Sequence, residues 1–123
     1  MTTIPSILVI DDNADTLSAL GDFLMAMGAE KVRQVSSAEE ALAILEQESF
    51  SIIVSDYRLD GMDGVQFVEQ LRQGGNRTPV VMLSGAPDKQ GVIRATQHER
   101  VDFFPKPFRI VDLTDAMERL MAA

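Results

Sequence analysis

The sequence predicts an α/β fold: a parallel five-stranded sheet with helices on both faces, a three-layer sandwich made of five β-α units. Three observations predict it. Short apolar runs alternate with segments of helical spacing, the pattern of strand–helix–strand units. Three of those runs lack polar alternation, as strands do when both their faces are covered. The chain has 123 residues, 46% hydrophobic and 24% charged, which fits one globular domain and not a disordered chain.

The elements follow in order. The first strand is the run 7–10, Ile-Leu-Val-Ile. A helix comes next, because Leu17, Leu20, Leu24 and Met27 recur at three- and four-residue steps and Gly28 supplies a stop. A weaker strand covers 32–35. Ser37 and Glu40 have the spacing of a capping box, opening a second helix with the stripe Ala38, Ala41, Leu42, Leu45. The third strand is 52–54. Val65, Val68 and Leu71 make the third helix, with Asp63 at its cap and Gly74-Gly75 at its end. The fourth strand is 80–83, and Val92, Ile93 and Thr96 mark a weaker fourth helix. A fifth strand at 101–104 leads into a helix striped by Leu113, Ala116, Met117 and Leu120. Met82 and Met117 are assigned to the core, and a single domain over 1–123 is expected.

Composition removes several functions. There are 19 acidic residues against 11 basic, a net charge of −8, which disfavours nucleic acid or an anionic membrane as a direct partner. With no cysteine, disulfides, thiolate metal sites and a cysteine nucleophile are excluded. The apolar run near the N-terminus falls far short of the ~20 residues that span a bilayer, and no basic segment precedes it. A cytoplasmic location is the default expectation.

In an open α/β sheet, ligands bind beyond the carboxyl ends of the strands. Asp11 and Asp12 follow the first strand, Asp56 the third, Ser84 the fourth and Lys106 the fifth. An aspartate pair before a helix also suits an N-cap, so Asp11 and Asp12 have that plainer alternative. Three carboxylates at one edge repel one another, and a hard divalent cation such as Mg²⁺ relieves the repulsion. Lys106 then pairs with a carboxylate or a phosphoryl group, Ser84 donates a hydrogen bond, and Asp56 is a nucleophile of the type that forms an aspartyl-phosphate.

Taken together, Asp11-Asp12, Asp56 followed by Met62-Asp63-Gly64, Ser84 after Val-Met-Leu, and Lys106-Pro107-Phe108 resemble the receiver domain of two-component response regulators over essentially the full chain. The resemblance implies a flavodoxin-like (βα)5 fold with strand order 2-1-3-4-5 and a cis peptide before Pro107. It implies that Asp56 accepts a phosphoryl group from a histidine kinase or histidine phosphotransfer protein. Asp11, Asp12, Asp56 and the backbone carbonyl of Arg58 are the implied ligands of Mg²⁺ or Mn²⁺. Lys106 and Ser84 are the implied phosphoryl contacts, and Ser84 and Phe103 the implied switch pair. The implied output is a face of the fourth helix, fifth strand and fifth helix, on which Arg94 is placed; it serves a downstream protein or a second copy as a homodimer. The resemblance also implies that the domain assists its own phosphotransfer and dephosphorylation and is otherwise no enzyme.

Several positions depart from the family pattern. Asp60 stands where a proline is common, and Phe103 replaces a frequent tyrosine, so the switch must work by packing. Arg58 and Ala86 occupy positions that influence the lifetime of the phosphoryl group. Glu99-Arg100 replaces a small Gly-Ala pair before the fifth strand, so that loop is expected to differ. A haloacid-type phosphatase, which also uses an aspartyl-phosphate, needs Asp-x-Asp after the first strand, and Asp11-Asp12-Asn13 lacks that spacing. A degenerate receiver used only for docking is disfavoured by the complete residue set.

Overall fold

The computed structural model describes residues 6–85 and 89–122. Strands and helices alternate as β1 (Ser6–Ile10), α1 (Ala14–Ala26), β2 (Lys31–Val35), α2 (Ala38–Leu45), β3 (Ile52–Asp56), α3 (Gly64–Gln73), β4 (Val80–Ser84), α4 (Lys89–Thr96), β5 (Val101–Pro105) and α5 (Ile110–Ala122). The strands form one parallel sheet in the order β2-β1-β3-β4-β5, as the resemblance implied. From β1 the chain steps outward to β2, then back across β1 to β3. That reversal opens a crevice between the carboxyl ends of β1 and β3, because their loops lead to helices on opposite faces.

Strand alternation splits the core into two layers. Leu8, Ile10, Ile53 and Met82 face α2, α3 and α4, with Val65, Phe67 and Val68 of α3 packed among them. Ile7, Val9, Ile52 and Val54 face Leu20 and Leu24 of α1 and Leu113 and Met117 of α5. The three unalternating runs are the central strands β1, β3 and β4, buried on both sides. The two weaker runs, β2 and β5, are the sheet edges. Lys31, Arg33 and Gln34 of β2 are exposed, and Lys31 and Arg33 both pair with Glu48.

Helix ends follow local chemistry. The side chain of Asn13 caps α1 by accepting the Thr16 amide at 3.0 Å. Gly28 stops that helix at φ +105°, a conformation that disfavours any side chain. At α2 the Ser37 hydroxyl accepts the Glu40 amide at 3.1 Å. The complete reciprocal box stands at α3, where Asp63 and Gln66 exchange bonds of 2.8 Å in both directions.

Two predicted stripes need correction. Met27, assigned to the inner face of α1, is 46% exposed at the C-cap. Among the described side chains of α4 the buried residues are Gly91 and Ala95, one turn apart, while Ile93 is 42% exposed and the side chain of Thr96 lies outside the description. Small residues let α4 sit close to the sheet, and they carry little apolar signal.

The loop before β5 turns at Arg100. Arg100 adopts φ +61°, a left-handed conformation that costs a side-chain-bearing residue about 1–2 kcal/mol. Hydrogen bonds hold it: Arg100 Nη1 donates to the Arg77 carbonyl at 3.2 Å. Arg72 donates to the carbonyls of Asn76 and Glu99, each at 3.0 Å.

Candidate functional site

Asp11 follows β1 directly, Asp56 closes β3, Ser84 closes β4 and Lys106 follows β5. The parallel sheet therefore brings all four to one edge. The backbone fixes them there. The Asp11 amide donates to Val35 O at 3.2 Å, and the Lys106 amide to Ser84 O at 2.8 Å. The Tyr57 amide donates to Leu83 O at 2.8 Å, and the Tyr57 carbonyl accepts the Gly64 amide at 2.7 Å. Asp56 is thus held between the end of β4 and the first residue of α3. Gly64 suits that approach, since a Cβ there would lie a tight 3.2 Å from Asp56 O and 3.0 Å from Met82 Sδ, and one of them would have to give way.

Carboxylate oxygens of Asp11, Asp12 and Asp56 lie within 4.8 Å of one another. Lys106 Nζ donates to Asp56 Oδ1 at 3.0 Å. The cap of α1 falls to Asn13, which frees Asp11 and Asp12 from the plainer role open to them. Asp11 instead uses one oxygen to accept the Asn13 amide at 2.9 Å. One ammonium against three carboxylates leaves negative charge in excess.

Asp11 bears the cost of this arrangement. It is only 4% exposed. Burial pushes its carboxyl above the ordinary range, the Asn13 amide opposes that, and the Asp56 charge adds to the rise. The folded state therefore holds this proton more tightly than the unfolded state. Stability from this group is full below the unfolded pKa and is lost as pH rises through the folded one. Without metal, Asp11→Asn is expected to stabilise the protein near neutral pH by about 1 kcal/mol, the order set by partly screened like charges at this spacing. The gain should shrink on acidification. Urea unfolding of both chains at pH 7 and pH 5 checks this, and parallel pH dependences would refute it.

The donor set suits a hard cation. Oxygens bound at ~2.0–2.6 Å to one ion lie at about this mutual spacing, and an all-oxygen set selects Mg²⁺, Mn²⁺ or Ca²⁺ over softer metals. Asp11, Asp12 and Asp56 are the residues that would hold it.

The other predicted residues are placed as follows. Ser84 is buried, 2% exposed. Phe103 is partly buried against the α2–α4 layer. Arg58 stands two residues past Asp56 with its side chain exposed. Ala86 lies outside the described residues. The Lys106–Pro107 peptide is cis. Arg94 requires correction: its guanidinium reaches α3, 3.6 Å from Asp63 and 3.4 Å from Glu69, and not the β5 side of α4. Asp63 and Glu69 both pair with Arg94.

Sequence patterns gave no hint of Tyr57. Its ring is buried, 7% exposed, with its centroid 5.8 Å from that of Phe103. The one available signal is that it directly follows Asp56 at the end of an apolar run. Beside Lys106, Ala19 and Phe23 of α1 face Pro107, Phe108 and Ile110 across an apolar groove, with Phe23 55% exposed.

Comparison with known proteins gives consistent matches. A family model described as the response regulator receiver domain matches residues 7–118. The response regulator protein FleR of Pseudomonas aeruginosa is 35% identical over 115 residues, 92% of this chain but 24% of FleR. This chain therefore spans about a quarter of that relative. The probable chemotaxis protein CheY of Rhizobium etli is 25% identical over 119 residues, 95% of this chain and 92% of that protein. The crystal structure of FixJ-N superposes with a TM-score of 0.89 at 26% identity, covering 98% of this chain and 96% of that one.

Proposed function

The chain belongs to the response regulator receiver domains, and from that premise we propose that Asp56 is its phosphoacceptor. The carrying observation is the Lys106–Asp56 contact of 3.0 Å beside the carboxylates of Asp11 and Asp12. An Asp56 oxygen bonds to the phosphorus of a phosphohistidine on a kinase or phosphotransfer protein. The P–N bond breaks, and its electron pair returns to the imidazole, which takes up a proton. Lys106 exchanges part of its carboxylate contact for a phosphoryl oxygen. Ser84, on the adjoining strand end, donates a hydrogen bond to another. Asp11, Asp12, Asp56 and the Arg58 carbonyl would hold Mg²⁺ or Mn²⁺, whose charge offsets that of the transferring group.

The apolar groove beside Lys106 suits the donor protein, because a helix seated on Phe23 and Phe108 brings its histidine to the mouth of the site. The response leaves through α4, β5 and α5 at the sheet edge, with Phe103 as the packing element. Downstream proteins or a second copy are the partners of that face. Arg58 and Ala86 tune how long the phosphoryl group lasts, and hydrolysis is assisted by the same site. No helix among the described residues is long and apolar enough to cross a membrane, and we place the domain, over 1–123, in the cytoplasm.

The test uses acetyl phosphate as donor. The chain is expected to gain one phosphoryl mass in the presence of Mg²⁺, located on the peptide that contains Asp56, and none after chelation. Gain without metal, or on another peptide, would overturn the assignment.

A further inference from the structure

Phe103 has no hydroxyl, so its position depends on what its ring packs against. On β4, Val80 and Met82 point into the α2–α4 layer and Val81 and Leu83 into the other. Alternation turns Ser84 toward the α2–α4 layer as well. Tyr57, just past the end of β3, and Phe103 of β5 both contribute to that layer, from either side of β4. Met82 is in register with Phe103, and Asp56 with Leu83. The two rings therefore meet across β4, beside the strand end that carries Ser84. Their centroids lie 5.8 Å apart at an interplanar angle of 58°, a tilted contact within the favourable range for aromatic pairs.

Tyr57 is also tied to the acceptor segment. It is bonded to Asp56, its amide donates to Leu83 O at 2.8 Å, and its carbonyl accepts from Gly64 at 2.7 Å. A shift of the Asp56 loop or of the 83–84 segment moves this backbone, and the buried ring must follow. Close-packed rings do not deform smoothly, so Phe103 must repack when Tyr57 moves.

We propose that Tyr57 is a positioning residue that couples the phosphorylation state of Asp56 to the packing of Phe103 through direct ring contact. This rests on Asp56 being the phosphoacceptor. Tyr57 touches no reacting atom in this scheme; it acts through Phe103.

The test follows Phe103 by ¹⁹F NMR in protein carrying fluorophenylalanine, its resonance identified by its loss in Phe103→Leu. Intact mass reports phosphorylation by acetyl phosphate with Mg²⁺ in the same samples. In the wild type and in Tyr57→Phe, the Phe103 resonance is expected to shift on phosphorylation. In Tyr57→Leu, phosphorylation should persist while the shift falls to less than half. A full shift in phosphorylated Tyr57→Leu overturns the coupling. Loss of the shift in Tyr57→Phe also overturns it, by assigning the effect to the hydroxyl. Absence of the mass gain in the wild type marks failure of the acceptor assignment instead. A second measurement needs no core substitution. Tyr57 is the single tyrosine and the chain has no tryptophan, so tyrosine emission reports this ring alone. That emission is expected to change on phosphorylation of the wild type, and an unchanged emission in fully modified protein overturns the proposal.

Discussion

An Asp56→Asn chain is expected to gain no phosphoryl group from acetyl phosphate under conditions that modify the wild type completely. The amide oxygen lacks the charge that makes the carboxylate a nucleophile. Its shape is the same, and it can still accept the hydrogen bond that Lys106 Nζ now gives to Asp56 Oδ1 at 3.0 Å. The substitution also removes one of the three gathered carboxylates. The variant should therefore fold, and without metal it should be at least as stable as the wild type, so that lost phosphorylation is not lost structure. Intact mass and thermal unfolding on the same sample decide it. An equal mass gain in the variant would move the acceptor away from Asp56.

The largest expected effect on stability comes from Phe67→Ala. Phe67 has no exposed surface and sits among Val65, Val68, Leu8 and Met82 in the layer under α3. Truncation removes the transfer energy of the ring and leaves a cavity that a close-packed layer fills poorly, together about 3–5 kcal/mol. Domains of this size are stable by roughly 5–15 kcal/mol, so a large share is lost. The melting temperature should fall by roughly 10–20 °C. Calorimetry checks this, and a fall of only a few degrees would mean that the layer closes over the gap. Because α3 begins at Gly64, which bonds the Tyr57 carbonyl, the same variant should also loosen the segment holding Asp56.

The five units and the site were legible because each needs little more than local pattern. Central strands announce themselves by unbroken apolar runs; Asp11 and Ser84 are each the first polar residue after such a run, Asp56 follows one just past Ser55, and Lys106 follows the weaker edge run. The strand order came from family resemblance, since no local pattern says which strands are neighbours. What local pattern missed was set by tertiary packing. Phe67 lies off the Val65–Val68–Leu71 stripe, yet α3 is covered widely enough to bury it. Gly91 and Ala95 face the sheet with almost no hydropathic signal. Arg94 turned toward Asp63 and Glu69, a choice that depends on where α3 lies. Tyr57 gains its meaning from a ring on β5, more than a third of the chain away in sequence.

The two borders of the sheet carry a consequence for how this protein meets copies of itself. An unpaired strand is a template on which a foreign strand can grow a fibril. At one border, Lys31 and Arg33 would set like charges against those of an identical strand from another copy. At the other, Asp102 adds a charge, and Pro105 has no amide hydrogen to extend the ladder. Both borders resist zippering, so crowding favours reversible helix-to-helix encounters over irreversible sheet growth. A receiver domain at high concentration can then meet copies of itself without the risk of solidifying.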